Sequence, residues 1–304
     1  MTRTKQTRKG ILAVFFLVVI ALFVAGVIWA AHDDGGGRRF EQTNFDAALL
    51  PPTWLGSDSS ELYVFGTDQL GRDLFARCLV GGALSLGVGL FAALIAVCVG
   101  TLWGTIAAVR GGSWDAAMMR LVDILYGLPS IMLVVLISVA ASTLVTQSKD
   151  SLISEEFVNV VALFTAIGVV SWLTVSRVIR GQVKSVLTRP SLQACKVIGV
   201  SPLRTFTHHI FPAILGPIIV YATLTIPAAM LSEAFLSFLG IGIREPLPSW
   251  GNLASDGLSQ LNPVQSRWWL LFWPSLCIAS TLIVMNWLGN KLRVGLDPTL
   301  RMSS

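Results

Sequence analysis

Six apolar runs leave this chain little choice of solvent. Residues 11–31, 83–108, 117–141, 157–176, 213–240 and 268–288 carry very few charged side chains, and a helix of about 20 apolar residues crosses the hydrocarbon core of a bilayer. Backbone exposed to lipid must satisfy its own hydrogen bonds, so such runs fold as helices. Hydrophobic residues make up 54% of the chain and charged ones 13%, far from the balance of a water-soluble globule. The expected fold class is an all-α membrane protein with six transmembrane helices. The first run, from Ile11 to Ala31, follows Arg3, Lys5, Arg8 and Lys9. It is longer than the apolar part of a cleavable signal, so it reads as a retained anchor.

An even number of spans puts both termini on one side. With 1–10, 109–123, 177–211 and the tail on that side, it holds 15 of the 22 lysines and arginines. Basic residues concentrate on cytoplasmic loops, so both termini are expected to be cytoplasmic. The net charge of +5 is then accounted for by membrane topology and calls for no nucleic-acid partner. Cys78, Cys98, Cys195 and Cys277 are isolated and read as small buried hydrophobes rather than metal ligands or a disulfide framework.

Between the spans the chain changes character. Residues 32–82 are expected to form an extracytoplasmic segment that ends in an interfacial helix, capped by Thr67 or Asp68 and turning Arg72 and Arg77 toward lipid headgroups. The second span contains Gly100 and Gly104, a spacing that lets helices approach closely in lipid. The third contains Arg120, Asp123 and Pro129. Arg120 and Asp123 are three apart and can meet on one helix face; they form an interfacial pair, touch the cytoplasmic docking loop or line a pathway, since ionisable groups inside membranes are often functional. The fifth holds Pro217 and Pro227, which free carbonyls for other partners, and near its far end Glu233, a candidate for gating or packing. Residues 241–267 read as an outer loop. Trp268, Trp269, Trp273 and Trp287 bracket the sixth span as aromatic belts.

The segment from Arg177 to Pro212 organises the rest. Gly199 can end one short helix by adopting a left-handed conformation. Ser201 stands at the N-cap of the next and Pro202 at its first position. A basic loop against anionic lipid would satisfy the charge alone, but the apolar Val197, Ile198, Leu203 and Phe206 point to a partner's groove, where each buried side chain contributes about 1.5–3 kcal/mol. The sequence has no Gly-Lys dipeptide, hence no phosphate-cradling P-loop, and no G-x-S-x-G or H-E-x-x-H. The chain is therefore not expected to be an enzyme, and any energy it uses must come from other subunits or an ion gradient. An ion-coupled secondary transporter is the rival class; it predicts repeated halves and midplane ionisable groups, for which only Asp123 and Glu233 are candidates.

These residues resemble the C-type permease subunit of oligopeptide and dipeptide ABC importers. That family's cytoplasmic loop reads E-A-A, three residues, then G; here Gln193, Ala194 and Cys195 take the E-A-A place, Gly199 is the glycine, and Ile210 to Pro212 supplies the ending. FGTDQLGRDLFAR at 65–77, MMRLVDILYGLPS at 118–130, VVSWLTVSRVIRGQ at 169–182, SEAFLSFLGIG at 232–242 and PSWGNLASDG at 248–257 extend the likeness over nearly the whole chain. The resemblance implies an extra N-terminal span (residues 1–31 with its cytoplasmic tail), the extracytoplasmic segment 32–82, a five-helix type I importer core at 83–290 with a coupling loop at 181–211, and a cytoplasmic tail at 291–304. It further implies a homologous B-type permease, two cytosolic ATPases that bind ATP and magnesium, an external peptide-binding protein, and a bacterial inner membrane. Residues 191–209 would couple to one ATPase. Oligopeptides are the implied cargo, with dipeptides, nickel chelates or glutathione-like solutes as alternatives. Gln193 and Cys195 depart from the family pattern and remove a carboxylate from the start of that loop.

Overall fold

Long runs of leucine, valine, alanine and isoleucine have no polar side chains to compete with the backbone, and they form continuous helices. A computed structural model describes residues 21, 23–32, 37–56, 62–146, 155–262 and 265–296. Its helices are α1 (residues 23–31), α2 (Leu74–Arg110), α3 (Gly112–Tyr126), α4 (Ser130–Thr146), α5 (Glu155–Leu187), α6 (Pro190–Val197), α7 (Pro202–Thr205), α8 (Phe211–Phe238), α9 (Trp250–Ser259) and α10 (Trp269–Leu296). A π-helical turn, Phe206–Ile210, joins α7 to α8. Among the described residues four helical stretches are long and apolar enough to cross a membrane, or five if α3 and α4 count as one broken span. Most of the expected first span lies outside the described residues.

The chain divides into two compact units, one drawn from residues 1–85, 237–239 and 244–277 and the other from 86–236, 240–243 and 278–304. In the second unit, α5 is the central strut. Its Trp172, Leu173, Val175, Ile179 and Val183 are buried together with Val122 of α3, Leu192 of α6 and Ile214 of α8. Gly100 and Gly104 let α2 lie against it, as their spacing predicts. A Cβ at Gly100 would come 2.7 Å from the Val175 Cβ, and one at Gly104 would press on the Ser176 carbonyl. Trp103, between them, packs edge-on against Trp172 with ring centres 5.1 Å apart and donates to the Met118 carbonyl.

The third expected span is not straight. Pro129 has no N–H and disfavours helical backbone in the residue before it, and α3 and α4 meet there at 92°. Gly127 closes α3 by donating its N–H to the Asp123 and Ile124 carbonyls. Pro217 and Pro227, by contrast, sit inside an uninterrupted α8. Nearby, Thr223 and Thr225 donate their hydroxyls to the Val220 and Tyr221 carbonyls, local bonding of the kind that accompanies proline in membrane helices. The fourth and sixth spans also outrun their expected limits: α5 continues to Leu187 and α10 to Leu296.

The first unit corrects the interfacial-helix expectation. Residues 65–73 form no helix; Leu74 begins α2 itself, and Asp73 accepts from the Phe75 N–H at its start. Arg72 and Arg77 do not reach for headgroups. Both are buried, because Asp68 and Glu245 offer them fixed carboxylates. Asp68 accepts from the Arg72 backbone N–H and from its Nε at 2.6 Å, and lies 3.3 Å from Arg77 Nη1. Glu245 Oε1 takes Arg72 Nη2 at 2.7 Å and Arg77 Nη2 at 3.2 Å. Within the expected outer loop stands α9, begun by a reciprocal cap: Asn252 donates its backbone N–H to Ser249 Oγ, and Ser249 donates its own to Asn252 Oδ1. Trp250 donates from Nε1 to the Cys78 carbonyl at 2.8 Å. Trp269 and Trp273 belong to a packed cluster, Trp273 stacked on Phe65 at 4.0 Å, rather than to an aromatic belt.

Burial pushes the Glu245 carboxyl up, but the bonds from Arg72 and Arg77 outweigh it and hold the group below its ordinary value of 4.5. Its contribution is therefore fully present above that value and lost as pH falls through the lower folded-state value. Apparent thermal stability followed against pH is expected to drop in that acidic window for the wild type, and Glu245→Gln is expected to flatten the drop. Gly104→Leu should force α2 off α5 and lower the unfolding free energy in detergent by about 1–3 kcal/mol, the usual range for overpacking.

Candidate coupling surface

The segment at 190–212 folds as its residues dictate. Gly199 has φ of +76°, a conformation that penalises a Cβ, and turns the chain after α6. Ser201 Oγ accepts from the Arg204 N–H, and Pro202 stands in the first turn of α7. The two-helix turn read from the sequence is therefore present. Its outward side carries Val197, Ile198 and Leu203, which are 89%, 78% and 74% exposed. Gln193, Ala194, Ser201 and Pro202 are also exposed, Cys195 is half-buried, and Pro212 is exposed at the start of α8.

Its inward side is anchored. Leu192 and Ile210 are buried in the cluster around α5. Phe206 goes with them: it packs against that cluster and lies 5.8 Å, ring to ring, from Phe211. The sequence grouped Phe206 with the outward apolar residues; in the structure it is half-buried, its ring packed on the α5 cluster and near Phe211, which no local rule places there.

What holds α5 in place was not read from the sequence. Asp115, near the start of α3, accepts from Arg180 Nε at 2.5 Å and Nη2 at 2.7 Å, and from Lys184 Nζ at 2.6 Å. Asp115 is buried, and its two oxygens accept from three cationic N–H donors, which offsets the cost of desolvating the carboxylate. One turn higher on α5, Arg177 Nη2 donates to Asp123 Oδ1 at 2.7 Å and covers the Tyr126 ring at 4.0 Å. The expected Arg120–Asp123 pairing does not form; Asp123 is taken by Arg177, and Arg120 is exposed. The signal was available in the spacing: Arg177, Arg180 and Lys184 lie on one face of a helix, and 109–123 offers two acids to meet them.

Two further features complete the unit. At the α3–α4 break a cavity of about 370 Å³ is lined by uncharged residues, among them Tyr126, Ser130, Ser171, Thr174 and Ser232. Ser171 and Ser232 donate their hydroxyls back to the Ile167 and Ala228 carbonyls, which leaves their oxygens as acceptors. Glu233, the neighbour of Ser232, is fully buried. No group of three or more potential metal ligands exists among the described residues.

The chain has relatives among known proteins. Residues 100–302 match the family model described as "Binding-protein-dependent transport system inner membrane component". The chain is 36% identical over 301 residues to the dipeptide transport system permease protein DppC of Bacillus subtilis, covering 99% of this chain and 84% of that one. It is 38% identical over 296 residues to the oligopeptide transport system permease protein OppC of Escherichia coli, covering 97% and 89%. In fold it is similar to a chain of the MetNI methionine ABC transporter, with a TM-score of 0.55 at 13% identity over 73% of this chain and 96% of that one.

Asp115→Asn would leave Arg180 and Lys184 facing each other without their shared anion. It is expected to lower unfolding free energy by about 1–3 kcal/mol, and a double-mutant cycle with Arg180→Gln should recover a coupling of about 1 kcal/mol or more.

With its apolar helical spans and these relatives, the chain belongs to the binding-protein-dependent transport system inner membrane component family and is a bacterial inner-membrane permease subunit of the ABC-importer type.

Proposed function

We propose that this chain is one half of a peptide-conducting pore, moved by ATPases that grip the turn between α6 and α7. The observation that carries this reading is the two-sidedness of that turn. Val197, Ile198 and Leu203 are exposed, while Leu192, Phe206 and Ile210 tie the same segment to α5 and α8. Apolar side chains on a stiff, anchored projection suit a cleft in a partner, and a push on the projection reaches α5 through buried contacts. Gln193, Ala194, Cys195, Gly199, Ser201, Pro202 and Pro212 shape the element.

In this reading both termini are cytoplasmic, and the chain spans the membrane six times, with residues 1–31 adding a span to a five-helix core at 83–290. A B-type permease completes the pore, two cytosolic ATPases bind ATP and magnesium, and an external binding protein delivers the solute. The relatives' names favour peptides. The uncharged, hydroxyl-bearing cavity at the α3–α4 break supports that choice: it offers acceptors to backbone N–H groups and no fixed charge to discriminate among side chains. Glu233 is assigned to gating and packing rather than to solute choice.

Leu203→Asp places a charge where an apolar contact of about 1.5–3 kcal/mol is expected, and should lower peptide uptake about tenfold or more. Membrane insertion and pairing with the second permease should persist. Uptake of labelled peptide and co-purification of the ATPases measure both effects; full uptake with the ATPases bound would exclude this turn as the coupling element.

A further inference from the structure

Beside the α3–α5 clamp lies an open recess of about 810 Å³, bounded by Arg120, Asp123, Arg177 and Arg180 over a floor of Ala116 and Ala117. Its charges do not cancel. Asp123 is bonded to Arg177, and Asp115 to both Arg180 and Lys184. Four cations thus meet two carboxylates, and neither carboxylate is left for Arg120. Arg120 is exposed, and among the described residues no carboxylate pairs with it. The recess therefore presents an excess of positive charge with one guanidinium free to bond.

The surroundings are apolar. Leu121 and Ile124 on α3, Leu128 in the break that follows it and Met132 in the first turn of α4 are all exposed. At the other end of α3, the Arg110 guanidinium lies 5.0 Å over the Trp114 ring. A half-wet tryptophan of this kind sits at headgroup level in a bilayer, so the Gly111 end of α3 lies at the membrane surface and its far end in the hydrocarbon. A ligand with a phosphate at one end and acyl chains at the other matches both parts.

We propose that this recess binds the headgroup of an anionic phospholipid. Arg120 and the remaining N–H groups of Arg177 donate to the phosphate oxygens, a geometry for which the planar guanidinium is suited. The acyl chains lie along Leu121, Ile124, Leu128 and Met132. The leaflet rests on the orientation proposed above and is the cytoplasmic one; the site itself does not depend on which solute is carried.

The test uses the assembled importer in nanodiscs of phosphatidylcholine with or without phosphatidylglycerol, with retained lipid counted by native mass spectrometry. The wild type is expected to retain phosphatidylglycerol in preference to phosphatidylcholine. Arg120→Gln is expected to weaken that retention about fivefold, the scale of one cation at a membrane surface, and Arg120→Lys to keep most of it. No preference in the wild type would overturn the proposal, as would equal retention by wild type and Arg120→Gln. Displacement of the lipid by inorganic phosphate alone would reassign the recess to a small anion and overturn it too. Accessibility of a cysteine placed at Ser113 reads the leaflet separately, so a wrong orientation is distinguished from an absent site.

Discussion

One buried carboxylate fixes the geometry on which the α6–α7 turn depends. Asp115 receives Arg180 and Lys184 from successive turns of α5, and a partly desolvated anion with two cations has few other low-energy arrangements. Arg177 and Asp123 repeat the pairing farther along in the opposite chain sense. Together they run α3 antiparallel to α5 and set the rotation of α5 about its axis. Everything C-terminal to Leu187 begins from that strut.

The other side of α5 is fixed by steric fit rather than charge. Gly100 and Gly104 bring α2 against Val175 and Ser176, a distance at which dispersion contacts replace the hydrophobic effect that lipid does not supply between helices. A strut held by ion pairs on one face and by close packing on another bends little. The turn between α6 and α7 is different. Its inner residues join the core, but the side chains of Val197, Ile198 and Leu203 are largely exposed. The result is a rigid support beneath an exposed apolar tip.

The apolar membrane helices and the turn after Gly199 were legible because they depend on local rules. Apolar length predicts a membrane helix, and Gly199, Ser201 and Pro202 each act within a few residues of themselves. The failures share a different cause. Arg72 and Arg77 look like headgroup ligands until Glu245, far along the chain, arrives to bond both. Trp269 and Trp273 look like belt residues until Phe65 and Leu74 cover them. Arg120 and Asp123 have helical spacing, yet Arg177 wins the carboxylate because its guanidinium also covers Tyr126. Helix α9 is the exception: Ser249 and Asn252 are local, and Trp250, Leu253, Ala254 and Gly257 form a buried stripe at helical spacing, so the sequence carried the signal for this helix.

The sequence by itself determined that this chain lives in a membrane as helices, where its basic residues concentrate along the chain, and that it has an apolar-tipped turn after Gly199. Backbone bonding in lipid and residue-level conformational preference suffice for each. Only the tertiary structure decided which acid each arginine finds, that Pro129 breaks a span while Pro217 and Pro227 do not, and that Phe206 turns inward. Those outcomes depend on neighbours distant in sequence: whether a freed carbonyl, a charge or a ring meets a partner is a property of packing, and one chain position cannot report it.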